Sequence, residues 1–213
     1  MADLQNRRPL GSRDTKWAAR CAAALAARGV TPNAISQASM VAALVAGLAF
    51  GATGWTHGIA TGALLILGAL ACQIRLLCNL FDGMVAVEGG RSAPDGPLWN
   101  EFPDRVSDLL ILAGAGVGAG HPALGLAAGA LAVLTAYTRE LGANIGLKPD
   151  FSGPMAKPQR MAVITIAALI AVSEPLFAAQ GTTLTIALWI IAIGAALTSI
   201  RRAARIRAAL LGL

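Results

Sequence analysis

"NLFDGMVAVEGGRSAPDGPLWNEFPDRVSD", residues 79–108, joins two apolar stretches and carries acids at both of its ends. Arg75, Asn79, Asp82 and Ala86 follow one another at spacings of four, three and four, which puts them on one face of a helix. Asn100, Asp104 and Asp108 follow at four and four, again on one face. Gly83, beside Asp82, has no side chain and leaves room for something to approach the backbone. Between the two faces lie turn residues: Gly89, Gly90, Pro94, Asp95, Gly96 and Pro97. Ionised groups near a bilayer are costly, face a bundle interior, and mark functional sites by default. Two readings stay open at this point. The Asp carboxylates and Asn carbonyls are hard oxygen ligands suited to a divalent cation. Alternatively they form an ion-pair set, with Arg75 and Arg105 neutralising Asp82 and Asp104.

The rest of the chain decides the setting. Of 213 residues, 56% are hydrophobic and only 13% charged, where soluble domains carry about 25% charged residues; the mean hydropathy is +0.65. The expectation is an all-α integral membrane protein, a six-helix bundle with an N-terminal interfacial amphipathic helix. The spans read as 34–52, 58–80, 106–120, 123–137, 161–177 and 183–200, with the third and fourth extended by polar helix at 100–108 and 138–144. A single domain is expected over 1–213: a cytoplasmic or interfacial segment 1–32, the spans within 33–200, and a basic tail 201–213.

Charge sets the orientation. Nearly all Lys and Arg fall on one side, including Lys16, Arg20, Arg28, Arg91, Arg105, Arg139, Lys148, Lys157, Arg160 and Arg201 to Arg207. The opposite loops, "GATGWTH", "GHP" and "SEPLFAAQG", hold none. Both termini are therefore expected in the cytoplasm. The net charge of +6 then faces anionic lipid, and nucleic acid is not an expected partner. No signal-peptide pattern is expected in the first thirty residues. Trp17, Cys21 and Leu25 form one stripe of the amphipathic segment, and "RRAARIRAALLGL" is a second basic amphipathic candidate. Cys21, Cys72 and Cys78 lack metal or disulfide spacing. His57 and His121 fall beside the opposite loops, away from the acids. The pairs Gly114/Gly118, Gly116/Gly120 and Gly125/Gly129 let the third and fourth spans approach closely, within the bundle or in a dimer.

The acidic pattern resembles that of the CDP-alcohol phosphotransferase family, D-x2-D-G-x2-A-R-x8-G-x3-D-x3-D. Its positions fall without a gap on Asn79, Asp82, Gly83, Ala86, Val87, Gly96, Asn100 and Asp104, with five of the eight identities kept. "VTPNAIS" is similar to the family's entry to its first span, and "YTRELG" and "GPMAKPQRM" to its basic segment between spans four and five. The first and third aspartates are asparagines here and the arginine is Val87, as in a divergent bacterial branch. Asn79 and Asn100 are then either neutral ligands, with Glu101 or Asp108 adding charge, or marks of a degenerate site.

The resemblance implies transfer of a phosphoalcohol, in the expected case phosphatidyl from CDP-diacylglycerol, to a hydroxyl acceptor with release of CMP. It implies Mg²⁺ or Mn²⁺, in a two-metal site, on Asn79, Asp82, Asn100, Asp104 and Asp108. Asp104 takes the position of the general base, and Asp108, one turn further on, is a ligand or second base. Gly83, Ala86 and Gly96 would let the nucleotide approach. Arg75, Arg91, Arg139, Lys157 and Arg160 are candidate partners of substrate phosphates. The family's habit implies a homodimer, and the setting a bacterial inner membrane with the site on the cytoplasmic side. The competing functions are an inactive or regulatory subunit on the same scaffold, and a small cation transporter. Transport would spread acids through the membrane depth, whereas here they gather at one boundary.

Overall fold

Proline and threonine punctuate the chain into helices. The computed structural model describes residues 15–88, 94–177 and 180–212, without the side chains of Val87, Glu88, Pro97, Asn100 and Phe177. Among these residues the seven α-helices are α1 (Lys16–Ala27), α2 (Pro32–Ala52), α3 (Ile59–Glu88), α4 (Gly96–Gly118), α5 (Pro122–Asn144), α6 (Lys157–Ala171) and α7 (Thr182–Leu210). Proline opens the first turn of α2, α4, α5 and α6, where its missing N–H costs nothing and its fixed φ suits the helix. Thr31 caps α2 by accepting from the Ala34 N–H at 3.2 Å. The α4–α5 turn closes on Gly120 at φ 76°, with the His121 N–H donating to the Gly116 carbonyl at 2.8 Å.

The helices pack as a ring. α2 lies against α3 and α4, α3 against α6, α6 against α7, α7 against α5, and α5 returns to α4. Phe50, Leu65, Ile111, Ala132, Ile164 and Leu188, one from each helix of that ring, meet in a single buried core. The outer face is apolar too. Val41, Leu48, Ile66, Leu70, Ile170 and Ile193 are all exposed, a surface that lipid covers and water does not. Three helical segments are long and apolar enough to cross a membrane: Pro32–Trp55, Ile59–Ala86 and Thr182–Leu210. The chain is an all-α membrane protein.

Several expectations need correction. Gly114 and Gly118 do not serve α5. A Cβ on Gly114 would lie 2.1 Å from the Gly47 carbonyl oxygen, and one on Gly118 would lie 2.0 Å from that of Phe50, so both seat α4 on α2. Gly116 and Gly125 do join α4 to α5, each within 3 Å of the other's backbone by the same measure. Such contacts leave no room for a methyl group, and Gly114→Ala should destabilise the bundle by about 1–3 kcal/mol. The fifth expected span, 161–177, is α6, which stops at Ala171, and a short 3-10 turn, Glu174–Phe177, follows. The basic tail is no separate element, because α7 runs unbroken through it to Leu210. α1 docks on α3 through Ala18 and Ala22, with the Trp17 ring edge-on to Phe81 at 5.9 Å. Cys21 is exposed, so the docking stripe is turned by one residue from the one that periodicity picks out.

At the end of the bundle free of Lys and Arg, Glu174 is buried. It accepts from the Gly181 N–H at 2.7 Å and from the Thr183 N–H, so the N-terminus of α7 satisfies its charge.

Candidate functional site

The acids meet where α3, α4 and α6 come together, and each arrives on the face that its spacing assigns. Arg75 is fully buried on α3. Its Nη2 donates to Asp104 Oδ1 at 3.1 Å and reaches Asp108 Oδ1 at 3.5 Å. Arg160, in the first turn of α6, donates through Nη2 to Asp108 Oδ2 at 2.6 Å. Its Nη1 donates to the Met155 carbonyl at 3.0 Å and to Thr135 Oγ1 at 3.2 Å. Asp108 is 0% exposed and held between two guanidinium groups.

Lys157, at the start of α6, brings two helices together. Its Nζ donates to Asn79 Oδ1 at 2.6 Å and also to Asp104 Oδ2. Asp104 is 8% exposed, and both of its oxygens receive a cationic donor. Asp82 sits on the α2 side of the cluster. Ser36 Oγ donates to Asp82 Oδ2 at 2.9 Å, and the Gly83 N–H to Oδ1 at 2.5 Å.

The ion-pair set therefore exists, but with other partners than expected. Arg75 neutralises Asp104 and Asp108, whereas Arg105 pairs with Glu101 on its own helix. Arg139 also takes Glu101, at 2.5 Å, and Glu140, and lies over the Phe151 ring at 5.2 Å. Ala86 is half-buried near the end of α3, and Gly96 has open space where a Cβ would be. Arg91 and the side chain of Asn100 lie outside the described residues. Among the described residues, no three Asp, Glu, His or Cys side chains come together as a metal-binding group.

Sequence reasoning missed three members of the site. Ser36 and Asn33 both lie in "VTPNAIS" and are one turn apart at the head of α2. Asn33 Nδ2 donates to both Asp95 oxygens at 3.1 Å, and Trp99 Nε1 donates to Asp95 Oδ2 at 2.9 Å. These hydrogen bonds, Asn33 first, hold the Asp95 carboxyl below its ordinary range. They tie the start of α4 to the start of α2. Thr135, the third, links the acids to a second feature, because its carbonyl accepts from Arg202.

That feature is a cavity of about 370 Å³ between α5 and α7, lined by Thr138, Arg139, Lys148, Asp150, Arg202 and Arg205 among others. Arg202 donates to the Ser152 carbonyl at 3.0 and 3.1 Å, and Arg205 to Asp150 Oδ2 at 2.8 Å. Partial burial opposes ionisation of Asp150, but donors from Ser152 and Arg205 outweigh it and hold its carboxyl below the usual range. Four cationic side chains and one carboxylate line the cavity, with Arg139 paired to Glu101 and Glu140 and Arg205 to Asp150. Sequence alone places these cations on the expected cytoplasmic side. It does not say that four of them share a wall.

Two helices presenting N-x2-D-G-x2-A and G-x3-N-x3-D at one end of a membrane bundle define a class. In that pattern, at Asn79, Asp82, Gly83, Ala86, Gly96, Asn100 and Asp104, the chain resembles the CDP-alcohol phosphotransferase family. No protein-family model matches it. It is similar to the phosphatidylinositol phosphate synthase of Streptomyces avermitilis, at 28% identity over 198 residues, covering 87% of this chain and 76% of the relative. It is also similar to the enzyme of that name from Mycolicibacterium smegmatis, at 27% identity over 190 residues, covering 84% and 78%. Its fold matches crystal structures of the Mycobacterium tuberculosis phosphatidylinositol phosphate synthase. In complex with manganese and citrate, that protein gives a TM-score of 0.72 at 20% identity, over 89% of this chain and 88% of that one. With CDP-DAG bound, it gives 0.73 at 21%, over 90% and 94%.

Proposed function

We propose that the protein is a membrane phosphatidyltransferase that moves the phosphatidyl group of CDP-diacylglycerol onto a hydroxyl of an inositol phosphate and releases CMP. The observation that carries the acceptor is the cavity lined by Arg139, Lys148, Arg202 and Arg205, linked to the acids through Thr135 and Arg160. Guanidinium and ammonium groups on one wall suit a phosphate ester better than a neutral alcohol. The names of the relatives and the CDP-DAG complex support the same donor and acceptor.

The acceptor oxygen attacks the phosphorus that carries the diacylglycerol, the bond from that phosphorus to CMP breaks, and CMP leaves as the nucleotide anion. The acceptor proton passes to a carboxylate. Asp104 is the better placed of the two α4 aspartates, since Asp108 is sealed between Arg75 and Arg160 and positions them instead. Asn79 and Asp104 already converge on a positive centre, the Lys157 ammonium, so the oxygens here suit a cation. Asp82, with Asn79, Asn100 and Asp104, would hold Mg²⁺ or Mn²⁺. When bound, the ion would offset charge developing on the pyrophosphate.

Both termini face the cytoplasm in this reading, with α2 to α7 all crossing a bacterial inner membrane as one domain and α1 lying at the interface. The homodimer rests on the family's habit alone, because Gly114, Gly116, Gly118 and Gly125 all pack inside the bundle.

CMP release from CDP-diacylglycerol in Mg²⁺ or Mn²⁺ tests the proposal. Inositol phosphate should support turnover, and unphosphorylated inositol, serine and glycerol phosphate should support far less. The closed ion pairs of Asp104 and Asp108 are also what an inactive scaffold needs. Absence of CMP release with every acceptor would favour that reading.

A further inference from the structure

A polyol phosphate and a simple alkyl phosphate carry the same phosphate group, so the cations of the cavity between α5 and α7 cannot tell one from the other. They differ in hydroxyl groups, whose protons need acceptors in the wall. Arg139, Lys148, Arg202 and Arg205 can only donate. Thr138 commits its own proton to the Leu134 carbonyl at 3.0 Å. Asp150 is the only carboxylate among the lining residues.

The fold aims that carboxylate before any ligand arrives. Its Oδ1 accepts from the Ser152 N–H at 2.8 Å and from Ser152 Oγ at 2.5 Å, and its Oδ2 accepts from Arg205 Nη1 at 2.8 Å. A carboxylate offers about four lone-pair sites, so these donors leave one open on Oδ2. The side chain is 27% exposed, which keeps that site within reach. Against the effect of burial, the donors from Ser152 and Arg205 hold the carboxyl below its usual range, so it is ionised and accepts only. The segment that carries it is pinned to α7. Arg202 donates to the Ser152 carbonyl at 3.0 and 3.1 Å, and the Met155 N–H donates to Thr198 Oγ1 at 3.0 Å. Lys148, two residues before Asp150 on the same wall, has no carboxylate in salt-bridge contact among the described residues. One short segment thus presents an unpaired ammonium for a phosphate and an oriented acceptor for a hydroxyl.

We propose that Asp150 is a specificity-determining residue that accepts a hydroxyl of a polyol phosphate, so that the cavity selects a polyhydroxylated ring phosphate over one without hydroxyls. A site that offers a polar group to a substrate hydroxyl discriminates against the analogue that lacks it. The inference rests on the reading of this cavity as the acceptor site, but its test is binding and not turnover.

The test is calorimetric binding of inositol monophosphate, cyclohexyl phosphate and inorganic phosphate to the purified full-length chain in detergent. Cyclohexyl phosphate keeps the ring and the phosphate and lacks the hydroxyls. The wild type should prefer inositol monophosphate to cyclohexyl phosphate by at least about tenfold, the worth of one charge-assisted hydrogen bond. Asp150→Asn keeps an Oδ1 for the Ser152 N–H, and the turn with it, but replaces Oδ2 by a donor. It should lower that preference by about tenfold and leave inorganic phosphate bound at least as well. If it fails to fold, Asp150→Ser, whose hydroxyl can hold the same turn, should lower the preference in the same way. A wild type without the preference would overturn the proposal. So would a variant in which all three affinities fall together, the mark of a loop staple, or rise together, the mark of a plain counter-charge to phosphate. CMP release measured on the same preparations separates the two readings. A preference lost in Asp150→Asn, with no CMP release from the wild type, sinks the transferase and keeps the inference. Turnover with a preference that Asp150→Asn leaves untouched does the reverse.

Discussion

Two charged regions lie side by side in this bundle, and they handle charge in opposite ways. In the cluster between α3, α4 and α6, the cations Arg75, Lys157 and Arg160 pair with Asp104 and Asp108, and Arg75 and Asp108 are fully buried. In the cavity between α5 and α7, Lys148 and much of Arg205 are exposed, and cations outnumber carboxylates. A buried charge must be paired or it moves the fold. An exposed excess is tolerated by water and is free to meet an anion. In the proposed function the first region shapes the chemistry through fixed geometry, and the second takes up the phosphorylated acceptor. They share Thr135, whose hydroxyl and carbonyl serve Arg160 and Arg202 respectively.

The comparison breaks most sharply at Asp82. Among the described residues its oxygens receive neutral donors, from Ser36 and Gly83, and it has no cation in salt-bridge contact, unlike Asp104 and Asp108. Asp82→Asn should lower CMP release by about 10³-fold, the scale of losing one preorganised electrostatic group. The folded bundle should survive, as checked by size-exclusion in detergent. Near-normal turnover would take Asp82 out of the mechanism.

Asp108 is the next test, and its effect should be on stability. Asp108→Asn leaves Arg75 and Arg160 partly uncompensated inside the bundle, at a cost of about 3 kcal/mol. A fall in the unfolding midpoint in detergent measures it. Unchanged stability with lost turnover would instead place Asp108 at the reacting atoms.

The cavity should respond in binding alone. Arg205→Ala should raise KM for the phosphorylated acceptor about tenfold, the worth of one charge-assisted hydrogen bond, and leave kcat and KM for the CDP donor little changed. Equal losses toward both substrates would move the acceptor elsewhere.

The smallest effect is predicted at Asp95, outside both regions. Its carboxyl titrates lower when folded than when unfolded, chiefly because Asn33 donates to it. The stabilisation is therefore fully present above the unfolded carboxyl's range and is lost as pH falls through the lowered folded value. Asn33→Ala should flatten the acid end of the stability profile slightly, measured as midpoint against pH. An unaltered profile would mean that the Asn33 bond contributes nothing in solution.

Periodicity alone places Arg75, Asn79 and Asp82 on one face of α3 and Asp104 and Asp108 on one face of α4, because a helix repeats every 3.6 residues whatever surrounds it. Composition places the chain in a membrane, because lipid requires an apolar exterior that no soluble fold can expose. Pairing between elements was not legible in the same way. Arg105 is nearer to Asp104 in sequence than Arg75 is, yet it lies on the wrong side of α4 and finds Glu101. Ser36 carries no charge to signal it, and it reaches Asp82 only because α2 lies beside α3.

What sequence by itself determined is thus the local and the bulk: helices, their polar faces, the membrane setting, and a motif spacing that needs no partner to be recognised. The tertiary structure alone decided which cation meets which acid. Lys157 lies 53 residues from Asp104 and 78 from Asn79, and only the docking of α6 on α3 brings its ammonium between them. Such contacts depend on how whole helices rotate and slide as glycines such as Gly47 and Gly114 set their separation. That is a property of surfaces meeting in space and not of any one stretch of chain.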